Sequence, residues 1–189
     1  MVKLSIDYFM NWKKISSEYL SHHLYFTARQ DRCERPDGRI IDPYFVVELP
    51  PCVCAVALTE HNEMILVKQY RHPLEETLLE LPGGFIDEGE LAEAAIAREL
   101  MEETGYAFSS FIKLGKLAAN PGILNNYTEL FLARGGKKIN GQCLDGNEDI
   151  EIHFFSMDEV RKMLMQNEIK QALHASCLFY AFAHLDSYK

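Results

Sequence analysis

Positive charge is in short supply in this chain: 19 lysines and arginines stand against 28 aspartates and glutamates, for a net charge of −9. That balance excludes a protein that coats nucleic acid, which needs a basic face. It leaves phosphorylated small molecules open, because bound metal ions reverse the local field. No apolar run approaches the roughly 18–20 residues needed to span a membrane. The opening residues do not read as a signal peptide either, since Lys3, Asp7, Lys13 and Lys14 interrupt them. Cysteine is sparse and odd in number. The five, Cys33, Cys52, Cys54, Cys143 and Cys177, contain no Cys-x-x-Cys spacing, which points to a reducing, cytoplasmic setting rather than a disulfide scaffold. Cys52 and Cys54 fall on one face of an expected strand, where free cysteine packs as a small hydrophobe. The histidines are scattered, His22-His23 makes no metal site, and no Ser/His/Asp arrangement for covalent catalysis is legible. Repeats and low-complexity segments are absent.

What is present is enough apolar residue, 48% of 189 positions, for one core domain with a small extension. Residues 1–20 are amphipathic and rich in aromatics, with Tyr8, Phe9, Trp12 and Tyr19, and their element type is ambiguous. Residues 23–33 alternate as a strand, with Tyr25, Thr27 and Arg29 opposed to Leu24, Phe26 and Ala28. Pro36-Asp37-Gly38 gives a turn, and a second strand follows over 44–48. This hairpin is too small to hold a core alone. Pro50-Pro51 marks a boundary, dividing a segment 1–49 from a domain 50–189. Strands are expected at 53–58, 64–69, 78–81, 111–118, 129–133 and 150–155, with Gly135-Gly136-Lys137-Lys138 as exposed turn. Ser156 followed by Glu159 predicts a capped helix to about Met165. A last helix over 169–184 turns Ala172, Cys177, Leu178 and Ala181 inward. Several connections are too short for parallel crossovers, so the fold class is α+β, a mixed sheet layered between helices.

Chemistry concentrates between Gly84 and Tyr106. Residues 91–101 are mostly good helix formers, and Gly105 stands where such a helix ends. Ala92, Ile96, Glu99 and Glu103 fall on one stripe of it. The apolar stripe thus runs into two carboxylates one turn apart, with Glu102 adjacent. Three acids so close repel one another unless positive charge sits among them. Arg98 supplies one such charge, and a hard divalent cation with oxygen ligands suits the rest. On the acids alone, a solvated helix face with an Arg98–Glu102 pair accounts for the pattern equally well.

The full spacing decides between them. Gly84, five residues, Glu90, seven residues, Arg98-Glu99-Leu100, one residue, Glu102-Glu103, one residue, Gly105-Tyr106 resembles the Nudix box at each fixed position; only Tyr106 stands where an aliphatic is commoner. The resemblance implies an α/β/α sandwich with a mixed sheet, a small N-terminal β-hairpin extension, and Mg²⁺ or Mn²⁺ as cofactor. Val67-Lys68-Gln69-Tyr70-Arg71 and Glu80-Leu81-Pro82-Gly83-Gly84 resemble the approach to the box in ADP-ribose pyrophosphatases and related nucleoside diphosphate sugar hydrolases. Pro121, sixteen residues after Gly105, and the loop Gly146-Asn147-Glu148-Asp149-Ile150-Glu151 resemble further marks of that group. Ile123-Leu124-Asn125-Asn126-Tyr127 departs from it where an acid is usual. The N-terminal hairpin resembles the segment by which those enzymes exchange strands and form homodimers.

The resemblance implies these roles. Glu99, Glu103, Glu102 and the carbonyl of Gly83 hold the metal, with Glu90 in support. Arg98 orients the carboxylates. Glu148 acts as general base, with Asp149 and Glu151 as alternatives. Arg71, Glu80, Pro121 and Asn126 contact a nucleotide-sugar substrate. Clean-up of oxidised nucleoside triphosphates and a non-catalytic ligand-sensing module are the competing readings. The hairpin and Pro121 weigh against the first, and the intact box with no basic helix-turn-helix against the second.

Overall fold

The computed structural model describes residues 10–23, 26–146 and 148–187. Tyr8, Phe9, Leu24, Tyr25 and Asn147 lie outside the described residues. The chain divides into two units, Met1–Leu49 with Asn120–Asn126, and Pro50–Ala119 with Tyr127–Lys189.

The first unit is a three-stranded antiparallel sheet of β1 (Lys13–His23), β2 (Phe26–Glu34) and β3 (Ile40–Glu48), in that order. β2 and β3 form the expected hairpin. Its turn is closed by the Gly38 N–H donating to the Arg35 carbonyl at 2.9 Å, with Gly38 at φ 79°. β1 comes from the stretch whose pattern is ambiguous, and the reason lies in its register. Pairing with β2 shifts between Lys14 and Ser16 and again between Tyr19 and Ser21. Each such shift breaks the period-two alternation that announces a strand. Residues 120–126 run along β3. Val47 N–H donates to the Ile123 carbonyl at 2.8 Å, Tyr44 Oη–H to the Gly122 carbonyl at 3.0 Å, and Leu49 N–H to Asn125 Oδ1 at 3.0 Å.

The second unit carries β4 (Cys52–Thr59), β5 (Met64–Arg71), β6 (Glu76–Glu80), β7 (Tyr106–Ala107), β8 (Ser110–Leu117), β9 (Thr128–Lys138) and β10 (Ile150–Phe155), with α1 (Ala92–Thr104), α2 (Met157–Met165) and α3 (Ala172–Asp186). The sheet runs β10-β5-β4-β9-β7, with β6 beside β5 and β8 beside β9. β4 pairs parallel with β9 and antiparallel with β5, so the sheet is mixed. Alternation along β4 sorts its side chains into two cores. Val53, Ala55 and Ala57 pack with Ile65 and Phe131 on Ala95, Ile96 and Leu100 of α1. Cys54, Val56 and Leu58 pack with Met64, Leu66 and Leu130 on Val160, Leu164, Cys177 and Leu178 of α2 and α3. This is the helix–sheet–helix layering expected. Ser156 caps α2 with both limbs of its capping box formed.

Two local expectations give way. Gly135 and Gly136 lie inside β9 rather than in a turn. A side chain at Gly136 would meet the Phe108 ring at 2.5 Å, so this glycine marks a close approach within a strand. On α3, Ala172 is exposed, and Leu173 and His174 turn inward beside Cys177, Leu178 and Ala181.

Candidate active site

α1 begins after Leu91 without a side-chain cap, and ends at Gly105. The Gly105 N–H donates to the Met101 carbonyl at 2.8 Å from a left-handed φ of 71°. Its inward face, Ala95, Ile96 and Leu100, continues into Glu103, which is 6% exposed. The carbonyls of its last turn, orphaned by helix geometry, are taken up by the segment after β9. Lys138 Nζ donates to Thr104 O at 2.8 Å, Cys143 N–H to Glu102 O at 2.8 Å, and the Gln142 amide to both Glu103 O (2.8 Å) and Ile150 O (3.0 Å). Gln142 thereby ties the helix to the start of β10 across the loop that carries Glu148. Nothing in the sequence pattern singles it out.

Opposite α1 the turn Pro82-Gly83-Gly84 runs along β4. Ala55 N–H donates to Pro82 O at 3.1 Å, and Val53 N–H to Gly84 O at 2.9 Å. The Gly83 carbonyl between them accepts no hydrogen bond from the described residues, while its N–H donates to Glu103 Oε2 at 2.9 Å. Gly83, at φ 151°, has Cys54 Cα where a side chain would lie, at 2.6 Å. At Gly84 a Cβ would fall 2.5–2.7 Å from the Glu99 carboxylate. Glycine at 83 lets this turn lie against β4, and glycine at 84 lets it lie against the Glu99 carboxylate.

Arg98 gathers the other acids. Its Nε donates to Glu90 Oε1 (3.0 Å), Nη2 to Glu90 Oε2 (2.9 Å), and Nη1 to Glu99 Oε1 (2.9 Å) and Glu102 Oε2 (3.0 Å). These bonds, that to Glu90 foremost, raise the pKa of the guanidinium and lower that of Glu90. Glu99 and Glu102 both turn to one guanidinium nitrogen, and no three acids, histidines or cysteines converge as a metal cage among the described residues. The donor set nonetheless fits a hard cation. Burial pushes the Glu103 carboxyl up to about 8, and the charges of Glu99 and Glu148 act in the same direction against the Gly83 hydrogen bond. Glu99 is also raised, by burial first and then by Glu102 and Glu148, against Arg98. These carboxylates are buried beside further acids, and the Gly83 carbonyl, which accepts no hydrogen bond from the described residues, adds a further hard oxygen.

Glu148 is thus brought within electrostatic reach of Glu99 and Glu103, with its carboxylate accepting from Asp145 N–H at 3.0 Å. Glu151 faces elsewhere. It lies 3.4 Å from Lys68 Nζ and 3.2 Å from His153 Nε2, and Lys68 above all lowers its pKa. Asp149 is exposed. Arg71 and Glu80 meet: Arg71 Nη2 lies 2.6 Å and Nε 2.9 Å from Glu80 Oε2, with the Glu80 side chain 2% exposed and that of Arg71 43%. Pro121 and Asn126 belong to the first unit, on the segment that lines β3.

His174, to which the sequence reading gave no role, completes the surroundings. Its Nδ1 accepts the Leu81 N–H at 3.2 Å. Burial, helped by the positive charge of Arg71, pulls its pKa down to about 3. The folded value lies below the unfolded 6.5, so the unfolded chain binds the extra proton between those limits. Stability is then complete above about pH 6.5 and falls as pH drops toward 3. From pH 7 to 5 this one group costs about 2 kcal/mol. Urea titrations of wild type and His174→Asn at the two pH values check this: the wild-type loss should exceed the variant's by that amount.

Residues 48–175 match the NUDIX domain family and residues 12–47 the nucleoside diphosphate sugar hydrolase N-terminal domain. The chain therefore belongs to the Nudix hydrolase family. It is 32% identical over 148 residues to an ADP-ribose pyrophosphatase of Bacillus subtilis (strain 168), covering 78% of this chain and 80% of that one. It is 31% identical over 158 residues to a methanol dehydrogenase activator of Bacillus methanolicus, covering 83% and 85%. A crystal structure of an ADP compounds hydrolase superposes with a TM-score of 0.85 over 96% of this chain and 98% of that one, at 21% identity, which speaks to the fold.

Proposed function

We propose that this chain is a metal-dependent pyrophosphatase that cleaves ADP-ribose or a related nucleoside diphosphate sugar to a nucleoside monophosphate and a sugar phosphate. The observation that carries the reading is the placement of two box carboxylates against the Gly83-Gly84 turn, Glu103 accepting the Gly83 N–H at 2.9 Å and Glu99 lying where a Gly84 side chain would fall, with the charge of Glu148 acting on both. The substrate class rests on the N-terminal family match and on the names of the relatives.

Glu99, Glu103, Glu102 and the Gly83 carbonyl hold Mg²⁺ or Mn²⁺, which when bound polarises phosphoryl oxygens and acidifies water. Arg98 orients the carboxylates. Glu148 takes the proton of the attacking water. The water oxygen bonds to one phosphorus as the bridging P–O bond breaks, and the bridging oxygen leaves with the other phosphate. The exposed edge of Arg71 meets the substrate's phosphate charge, and buried Glu80 serves the substrate by holding that guanidinium in place. Pro121 and Asn126 are taken as substrate contacts on sequence grounds alone. With ADP-ribose and Mg²⁺, AMP and a sugar phosphate should appear one to one, and chelation by EDTA should stop turnover. Release of ADP or of free phosphate instead would overturn the reading.

Residues 1–49 are proposed as a homodimerisation segment and 50–189 as the hydrolase domain. Trp12, Tyr19, Phe26 and Phe45 are 45–55% exposed, and isologous pairing is the commonest way to cover such a surface. Light scattering at micromolar concentration should give a dimer mass, and a 21.7 kDa particle would contradict it. The five free cysteines support a reducing cytoplasm.

A further inference from the structure

The inward face of α3 is apolar, Leu173, Cys177, Leu178, Ala181 and Phe182, except for His174, which is 9% exposed. A buried polar group on such a face calls for a reason. Its partner is the Leu81 amide, 3.2 Å from Nδ1. An acceptor Nδ1 carries no hydrogen, so the ring is the Nε2–H tautomer. The amide it holds is the first past β6, which ends at Glu80. Pro82 has no N–H to offer, and the next amide, Gly83, goes to Glu103. The amides of this stretch are therefore held at Leu81 by α3 and at Gly83 by α1, while β4 holds its carbonyls at Pro82 and Gly84.

We infer that His174 is a positioning residue: by fixing the Leu81 amide it sets the Pro82-Gly83-Gly84 backbone against which Glu103 and Glu99 are placed. The inference rests on the reading of those two glutamates as metal ligands. Loss of the acceptor leaves a buried amide orphaned, and the turn shifts to find another partner. Gly83 then no longer meets Glu103, and Gly84 no longer clears Glu99.

Three variants separate this role from simple packing. Asparagine places Oδ1 near the position of Nδ1, while leucine and glutamine fill more volume but leave that position without an acceptor. Mn²⁺ affinity, read by electron paramagnetic resonance, should weaken about tenfold in His174→Leu and His174→Gln, equivalent to ~1.4 kcal/mol. kcat should fall in parallel, and His174→Asn should stay within about threefold of wild type on both. Amide exchange at Leu81 and Gly83, which needs neither metal nor substrate, should quicken in His174→Leu and not in His174→Asn. A ranking that follows side-chain volume, or unchanged exchange at both amides in His174→Leu, would overturn the inference. Glu103→Gln is the control: if that variant binds Mn²⁺ as wild type does, the metal reading fails, and the exchange contrast alone decides the role of His174.

Discussion

Glu103→Gln should lower kcat by about 10²–10³-fold, the range for removing one key electrostatic group from a transition state, without loss of fold. Glu103 is the most buried of the box acids, at 6% exposure, and burial already pushes its carboxyl up to about 8. An uncharged amide fits that surrounding at no greater desolvation cost. Its oxygen can still accept from the Gly83 N–H, which the carboxylate holds at 2.9 Å. The variant therefore keeps the turn and removes only the negative charge. Steady-state kinetics at saturating metal give the activity, and thermal melting in EDTA gives the stability. Turnover near wild type would remove Glu103 from the metal site. A collapsed melting temperature would make its role structural instead.

Glu148→Gln should cost about 10²-fold or more in kcat, as removal of a general base does, while Mn²⁺ affinity stays close to wild type. The contrast with Glu151→Gln carries the argument. Glu148 lies where its charge raises both Glu99 and Glu103, whereas Glu151 pairs with Lys68 and His153. Glu151 is exposed and its partners are not box residues, so Glu151→Gln should leave kcat within about threefold of wild type. If Glu151→Gln is the slower enzyme, the base has been misassigned.

The box helix was legible because its signals agree: helix formers over 91–101, Gly105 in the left-handed region at its end, and an apolar stripe that leads into Glu103. β4 was legible for the same reason, since both of its faces are buried and the run from Val53 to Leu58 is apolar. Three features were not. β1 is obscured by its two register shifts. The glycines of β9 read as turn residues, because the Phe108 ring that requires Gly136 lies twenty-eight positions earlier in sequence. His174 and Gln142 act through contacts to distant backbone, Leu81 in one case and Glu103 with Ile150 in the other. No local spacing encodes such contacts. Arg98 was legible as a counter-charge, but its simultaneous hold on Glu90, Glu99 and Glu102 needed coordinates.

The most direct test of the account is a comparison of kcat/KM for ADP-ribose, GDP-mannose, ADP-glucose, dGTP and 8-oxo-dGTP under one metal condition. A two-ended substrate lets contacts at both ends fix the pyrophosphate in line for attack, and a triphosphate leaves the sugar-end contacts empty. ADP-ribose or another nucleotide sugar should therefore exceed every triphosphate. A triphosphate preferred by about tenfold, ~1.4 kcal/mol of transition-state stabilisation, would contradict the account and leave only membership of the Nudix family standing.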